Sequence, residues 1–253
     1  EERNLLDLDT LASNVTAIKA QIARVLGPEG PWSLVDNLSW TADLRLLDFL
    51  RDVGKHVTVN QMVARDSVRS RMEGEHGISY TEFSYMLLQA NDFAWLHENE
   101  GCDLQIGGSD QWGNMLSGVD LIRRRHGSVA HALCWPLLTG PDGSKLGKTT
   151  GARVWLEPAL TSPYAFFQHW MQTDDEQVRQ MLAQFTLLPM PEVDALVAEH
   201  AAAPERRLGQ RALAVAVTEL VHGHDATRAA EGAAALLFGG DPRDASAAAL
   251  VAV

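Results

Sequence analysis

Two hydrophobic runs that each end in a glycine-containing polar loop constrain the fold of this chain most. The first is LQIGGSDQWGN (104–114) and the second is DGSKLGKT (142–149). We expect strands around 103–107 and 132–138, joined by a crossover helix over 112–126. Loops of this kind, after the carboxyl ends of parallel strands, are where open α/β sheets bind nucleotides and small substrates. The sequence therefore predicts an α/β fold with a partial Rossmann-like parallel sheet.

The first loop offers polar groups at the end of its strand. Gly107 and Gly108 allow a close backbone approach, and Asp110 and Gln111 follow with a carboxylate and an amide. A polar ligand could be held there. An ordinary strand-to-helix turn is the alternative interpretation of the same residues.

The second loop places two cations beside a hydroxyl. Lys145 and Lys148 flank Gly147, and Thr149 follows. These groups could neutralise charge that develops on a leaving pyrophosphate. Residues 143–149 spell GxxxGKT, one residue short of a P-loop, and the following residues do not favour the helix that a P-loop opens, which argues against a P-loop module. A solvated basic hairpin is the alternative for this loop alone, whereas the two loops in this order predict an enzyme that handles ATP.

A helix upstream of the first loop carries a third set of polar groups. Ser79 and Glu82 form an S-x-x-E capping box that predicts a helix from there to about Asp92. Tyr85, Gln89 and Asp92 are spaced i, i+4 and i+7 and so share one face of it. A phenol, an amide and a carboxylate in a row suit an amino-acid ligand, although a solvated polar stripe would show the same spacing.

These segments together resemble the bacterial tyrosyl-tRNA synthetases, which are class I aminoacyl-tRNA synthetases. The segment 145–149, KLGKT, is similar to the KFGKT-like form that the KMSKS signature takes in that family. The resemblance also runs through FLRDVGKHVTVNQM (49–62), GISYTEFSYMLLQANDF (77–93), VWLEPALTSPYAFFQHW (154–170) and ELVHG (219–223). It implies tyrosine–tRNA ligase chemistry in two steps, activation of L-tyrosine by ATP to tyrosyl-adenylate and transfer to tRNA(Tyr).

The resemblance also implies how L-tyrosine would be held. Tyr85 and Gln89 would bind its ammonium group, Asp92 would accept a hydrogen bond from its phenolic hydroxyl, and Gln111 would complete the pocket. Phenylalanine would be rejected because its ring would leave the buried Asp92 carboxylate without its phenolic partner. Asp92 and the KLGKT sequence favour a tyrosine-specific enzyme over the related tryptophan-specific synthetases.

The ATP site follows from the same resemblance. Gly108 and Asp110 would contact the adenosine end of ATP. Lys145, Lys148 and Thr149 would act as the catalytic residues on the pyrophosphate, by positioning and electrostatics and without a covalent enzyme intermediate. Mg²⁺ would arrive with ATP as part of the co-substrate. We expect no protein-bound metal, since Cys102 and Cys134 lack the spacing of a zinc site.

Further partners are implied for the full enzyme. The resemblance implies a homodimer, and it implies that Arg123 and Arg124 could meet the acceptor stem of tRNA. The net charge of -12 requires such local basic patches, because phosphate contacts supply much of the affinity for RNA. These arginines are equally explained as partners of the negative carboxyl end of their helix. With no long apolar run, we expect a cytoplasmic enzyme and no membrane segment.

One family feature is missing from this chain. Class I synthetases carry a HIGH-type motif upstream of the lysine loop, and none is present here. We therefore interpret 1–150 as the second half of the nucleotide-binding catalytic domain with a helical insertion, and 151–253 as an all-α region, in a fragment truncated at both ends. The alternative is a non-catalytic remnant or paralogue that binds tyrosine or tRNA without activation.

The remaining element predictions rest on periodicity and local signals. A first amphipathic helix covers 11–25, and a short strand is expected at 33–35. Helices are expected at 42–52 and 60–72. Ser162 and Pro163 predict the start of a later helix, as N-cap and first helical residue.

Overall fold

A computed structural model describes residues 6–27, 30–74, 77–137, 154–239, 241, 243 and 246–252. The chain divides into two compact units. Residues Glu1–Leu34 and Thr149–Val253 form the first, and Val35–Lys148 form the second. The functional division at residue 150 that the sequence suggests stays a prediction. Within the described residues, no helix combines the length and the apolar character needed to cross a bilayer.

The described segments are largely helical and contain one small parallel sheet. In chain order the elements are α1 (Leu8–Leu26), α2 (Leu38–Thr41), α3 (Leu46–Asp52), α4 (Val59–Val63), α5 (Asp66–Met72), α6 (Tyr80–Glu100), β1 (Leu104–Gly108), α7 (Trp112–His126), β2 (His131–Trp135), α8 (Pro163–Met171), α9 (Val178–Phe185), α10 (Met190–Ala202), α11 (Leu208–His222), α12 (His224–Leu237) and α13 (Ala247–Ala252). The α/β class with a helical region is thus confirmed.

The predicted crossover unit is present. Strands β1 and β2 pair in parallel, with Leu104 opposite His131 and Gly108 opposite Trp135. Helix α7 joins them over the residues predicted for it. The strands themselves are displaced by a residue or more from the expected positions. Because the two carboxyl ends meet at one edge, the loop after β1 lies where an α/β sheet binds ligands.

Helix α6 begins at the predicted capping box and runs further than expected. The Ser79 hydroxyl accepts a hydrogen bond from the Glu82 backbone N–H at 3.2 Å, and the Glu82 carboxylate accepts one from the Ser79 N–H at 3.5 Å. Beyond Asp92 no glycine or proline interrupts the helix until Gly101, which takes the left-handed conformation at φ 66°. The helix therefore continues to Glu100.

Helices α6 and α7 form the centre of the unit 35–148. Phe93 and Ala90 of α6 and Leu121 and Ile122 of α7 are buried in one cluster. At Gly118 an added Cβ would lie 2.8 Å from Cδ1 of Phe93. A glycine is therefore required for the backbone of α7 to approach α6 this closely.

One face of the sheet remains exposed in the described part of the chain. Leu104 and Ile106 of β1 and Leu133 and Trp135 of β2 alternate along their strands and are all exposed. Their register places them on the same face. Parallel sheets are ordinarily covered on both faces. Burial within the described part of the chain therefore does not account for the apolar residues on this face of the two strands.

Two local predictions in the region before α4 were wrong. Residues 33–35 form no strand, and the chain instead turns at Asp36, whose carboxylate accepts a hydrogen bond from the Leu38 N–H at 3.0 Å. This side-chain bond competes with strand pairing and starts α2. The helix expected at 42–52 begins only at Leu46.

The helix expected at 60–72 is two helices, α4 and α5. Arg65 interrupts it with an extended backbone, φ -75° and ψ 136°, and stands at the N-cap position of α5. Its guanidinium reaches α7, where it donates to the Gly113 carbonyl and to the Ser117 hydroxyl. A tertiary contact therefore accompanies the break in the helical pattern.

The other unit is built around α8, α9 and α11. Phe166, Leu182 and Leu213 are among its fully buried side chains. The predicted start of α8 is confirmed, since the Ser162 hydroxyl accepts from the Ala165 N–H at 3.2 Å and Pro163 is the first helical residue. Helix α1 belongs to this unit and spans Leu8–Leu26, as its periodicity predicted within a few residues.

Candidate functional site

The three polar residues predicted to share a helix face all lie on the uninterrupted helix α6. Tyr85 is exposed, at 59% of its possible surface, whereas Gln89 and Asp92 are half-buried. The spacing therefore turns one phenol outward and brings the amide and the carboxylate closer to the protein interior. Their roles toward a ligand stay a prediction.

Asp92 is already hydrogen-bonded within the protein. The Asn37 amide donates to its Oδ2 at 3.0 Å, and the Trp40 indole N–H donates to its Oδ1 at 2.9 Å. Both donors come from the turn around α2, more than fifty residues earlier in the chain. Beside a phenylalanine ring this carboxylate would therefore keep two protein donors and would lack only the phenolic hydroxyl. A phenol would add a further hydrogen bond to an acceptor that two donors already orient.

Asn37 and Trp40 are functional candidates that the sequence analysis missed. They are spaced i and i+3 around one short helical turn, which brings both side chains to the same side. That spacing was a visible signal, but only a tertiary contact connects it to Asp92. Trp40 also stacks on Trp95, with ring centroids 4.1 Å apart and an interplanar angle of 11°.

The two glycines of the first loop lie in tightly packed surroundings. A Cβ on Gly107 would lie 3.3 Å from Cβ of Gln111, and one on Gly108 would lie 3.0 Å from Oδ1 of Asp110 and 3.1 Å from Cδ2 of Leu137. Gly108 and Asp110 are thus neighbours at the end of β1. A Cβ at Gly108 would push the Asp110 carboxylate, which is predicted to contact adenosine, by a few tenths of an ångström.

Gln111 stands at the N-cap position of α7 and is connected to the α6 face. Its Oε1 accepts a hydrogen bond from the Asn114 amide at 3.2 Å. Asn114 and Tyr85 line the same open cavity of about 210 Å³, whose polar wall also includes the ion pair of Arg71 and Glu82 at 2.6 Å. The structure therefore brings Tyr85 and Gln111 into one neighbourhood through Asn114.

The predicted catalytic residues Lys145, Lys148 and Thr149 lie outside the described residues. The geometry of the site therefore comprises the α6 face and the loop after β1, and the roles of the two lysines and the threonine stay a prediction.

The two arginines predicted to meet tRNA are exposed and hold intramolecular contacts. Arg123 pairs with Asp120 at 3.1 Å, and Arg124 donates to the His56 carbonyl. Both lie in the last turn of α7 before Gly127. This geometry is compatible with both roles proposed for the arginines, as cations at the negative end of a helix and as contacts to RNA. In the described part of the chain, no three His, Cys, Asp or Glu side chains are grouped so that they could share a metal ion.

The described residues combine the parallel β1–α7–β2 crossover of a Rossmann-like sheet with a polar face on α6, beside the edge of the sheet where ligands bind. Comparison with known families identifies the class of protein that has these features. The family described as tRNA synthetases class I (W and Y) matches residues 1–239. The chain belongs to this family.

Relatives at about 50% identity carry the name Tyrosine--tRNA ligase. The chain is 52% identical over 250 residues to the Tyrosine--tRNA ligase of Roseiflexus castenholzii, and 48% identical over 250 residues to that of Bacteroides fragilis. These matches cover 98% and 96% of this chain but only 59% and 58% of those proteins. The predicted resemblance to tyrosyl-tRNA synthetases is confirmed, and the chain spans about 59% of the length of the curated relatives it matches.

Solved structures agree with this assignment of fold. A C-terminally truncated mitochondrial tyrosyl-tRNA synthetase from Aspergillus nidulans superposes with a TM-score of 0.77 at 29% identity, over 94% of this chain and 71% of that one. The corresponding protein from Coccidioides posadasii gives a TM-score of 0.75 at 29% identity, over 91% of this chain and 69% of that one.

Proposed function

We propose that this chain is the catalytic-region part of a tyrosine–tRNA ligase, which activates L-tyrosine with ATP to tyrosyl-adenylate and transfers the tyrosyl group to tRNA(Tyr). The observation that carries the proposal is the orientation of Asp92 on α6 by two N–H donors. It occurs in a chain about half identical to proteins named Tyrosine--tRNA ligase. An oriented carboxylate acceptor is what a phenolic hydroxyl requires for recognition.

The amino acid would lie along the α6 face. Tyr85 and Gln89 would bind its ammonium group, Asp92 its phenol, and Gln111 would close the pocket from the start of α7. The shared cavity of Tyr85 and Asn114, and the bond from Asn114 to Gln111, support this arrangement. Charge and shape at both ends of the ligand would then be recognised by side chains on two packed helices.

ATP would approach from the loop after β1. Gly108 and Asp110 would contact the adenosine end, and the closeness of their atoms supports a common site. Lys145, Lys148 and Thr149 would stabilise the pyrophosphate as it leaves the α-phosphorus attacked by the tyrosine carboxylate. Mg²⁺ would enter with ATP.

The wider setting is proposed from the family. We expect a homodimer in the cytoplasm, with Arg123 and Arg124 available to the acceptor stem of tRNA. Their exposure supports this role, although each also has a partner within its own chain.

Tyrosine-dependent exchange of pyrophosphate into ATP tests the proposal. The assay is run on this chain and on a chain extended to the length of its curated relatives. Activity is expected in the extended chain and should fall when Asp92 is replaced by alanine, with a smaller preference for tyrosine over phenylalanine. A matched control is Asp103→Ala, because this exposed carboxylate lies beyond the end of α6. An unchanged amino-acid preference in Asp92→Ala would remove Asp92 from the pocket.

The alternative that the sequence analysis left open is a non-catalytic remnant or paralogue. In that case the chain binds tyrosine or tRNA without activating the amino acid. Exchange activity in neither chain, together with measurable binding of tyrosine, would establish this alternative.

A further inference from the structure

We propose that Trp95 is a positioning residue for amino-acid specificity. By stacking on Trp40 it fixes the direction of the Trp40 indole N–H, and so fixes the Asp92 carboxylate as an acceptor for a phenol. The inference rests on the proposed function of Asp92 in binding tyrosine. It assigns a role to a residue that need not touch the substrate.

Trp95, Trp40 and Asp92 form a continuous series of contacts. Asp92 and Trp95 lie at i and i+3 on α6 and therefore on the same side of that helix. Trp40 spans both, since its ring lies 4.1 Å from that of Trp95 and its Nε1 lies 2.9 Å from Oδ1 of Asp92. An indole ring is rigid, so a ring held by stacking also has a fixed N–H direction.

The turn that carries Trp40 needs such support. Helix α2 has only four residues, and one isolated helical turn is not stable in water. Its local bonds include two accepted by Asp36, from the Leu38 N–H at its carboxylate and from the Ser39 hydroxyl at its carbonyl, and one accepted by the Asn37 carbonyl from the Thr41 hydroxyl. Those bonds shape the turn but do not attach it to α6. The Trp40–Trp95 stack and the bonds to Asp92 do.

The two donors to Asp92 differ in exposure. Asn37 is exposed, and water competes with its bond, whereas the Trp40 bond is partly buried. The Trp40 bond is therefore the stronger determinant of the carboxylate orientation. A carboxylate has about four lone-pair positions, so two donors leave room for a phenolic hydroxyl.

Loss of Trp95 should weaken the binding of tyrosine but not that of phenylalanine. Without Trp95, the Trp40 ring gains alternative rotamers and Asp92 loses its fixed direction, which weakens its bond to tyrosine. Phenylalanine has no hydroxyl and loses nothing by this change. A purely structural role for Trp95 would weaken the binding of both amino acids equally.

The test measures the equilibrium binding of L-tyrosine and L-phenylalanine to the whole chain, together with near-ultraviolet circular dichroism of the tryptophan pair. Trp95→Leu should abolish the dichroic signal of the stack and lower the tyrosine preference about tenfold, as expected when one hydrogen bond to a charged group is lost. Trp40→Phe keeps an aromatic face but removes the donor, and it should lower the preference similarly. Trp95→Phe keeps a stacking surface and should retain most of the preference.

The control is Trp155→Phe, since Trp155 is a 45% exposed tryptophan of the other unit and should change neither quantity. If Trp95→Leu does not fold, Trp95→Met makes the same test with a flexible side chain. A lost stack with an unchanged tyrosine preference would overturn the inference while leaving the proposed function intact, as would an equal loss for both amino acids. Absence of any tyrosine preference in the unaltered chain would refute the proposed function itself, and the inference with it.

Discussion

Replacing Gly118 with alanine should destabilise the protein, although alanine is the better helix former. The added Cβ would lie 2.8 Å from Cδ1 of Phe93, 3.0 Å from its Cβ and 3.3 Å from its Cγ. Phe93 is only 1% exposed and cannot rotate into solvent. Because one contact is to a Cβ that is fixed to the backbone, α6 and α7 must separate to admit the new methyl group.

Two opposing effects determine whether Gly118→Ala raises or lowers the free energy of unfolding. Alanine in place of glycine within a helix stabilises it by about 1 kcal/mol. Overpacking a filled core costs about 1–3 kcal/mol, and a clash with a backbone-linked atom belongs in the upper part of that range. The net loss in the free energy of unfolding should therefore be about 1–2 kcal/mol. Urea denaturation measures it as a lower midpoint with an unchanged slope.

A double-mutant cycle identifies the cause. Phe93→Ala is made alone and together with Gly118→Ala, because it removes the Cδ1 and Cγ atoms that the new methyl group would meet. The double variant should be more stable than the sum of the single effects by about 0.5 kcal/mol or more. A Gly118→Ala protein as stable as the parent, or additive effects in the cycle, would show that the helices do not meet at this contact.

Substitutions at three other positions have defined outcomes. Gly101→Ala should lower the free energy of unfolding by about 1 kcal/mol through backbone strain alone, seen as a lower thermal midpoint, since φ is 66° and no atom lies near its Cβ. Gly101→Asn should cost less, and equal costs would contradict the left-handed cap. Arg65→Met should cost about 2 kcal/mol in urea denaturation, because the Gly113 carbonyl and the buried Ser117 hydroxyl lose a charged donor, and an unchanged midpoint would place the guanidinium in solvent. Desolvation by burial lowers the pKa of His222 below its ordinary 6.5, and the nearby Arg24 lowers it further, so the unfolded chain takes up a proton first as the pH falls. Stability should therefore decline below about pH 6.5 and less so in His222→Gln, and equal declines in thermal midpoint would exclude this histidine.

Elements with a chemical signal at their ends were predictable from the sequence. The capping box at Ser79 and Glu82, and the serine and proline at 162–163, each specify a helix start through bonds within four residues. The crossover from β1 to β2 was predictable because hydrophobic runs, loop glycines and a helical stretch of the right length follow one another. In these cases the information is local, and the tertiary structure does not override it.

The inserted region before α6 was less predictable because its boundaries depend on distant contacts. The pattern over 60–72 favours one helix, but Arg65 leaves the helical conformation and bonds to Gly113 and Ser117 about fifty residues later. Burial lowers the pKa of this guanidinium, as expected for a cation inserted between packed segments. No helical periodicity carries that information.

The candidate site also combines features set by local sequence with features set by distant contacts, and this affects amino-acid specificity. Helical spacing alone placed Tyr85, Gln89 and Asp92 on one face, whereas the donors to Asp92 come from Asn37 and Trp40 in a different segment. Because a carboxylate recognises a phenol only when it points toward it, the orientation set by that short turn matters as much as the presence of the acid. Amino-acid preference is then a property of two segments of the chain, and changes within 36–41 should alter it without any change on α6.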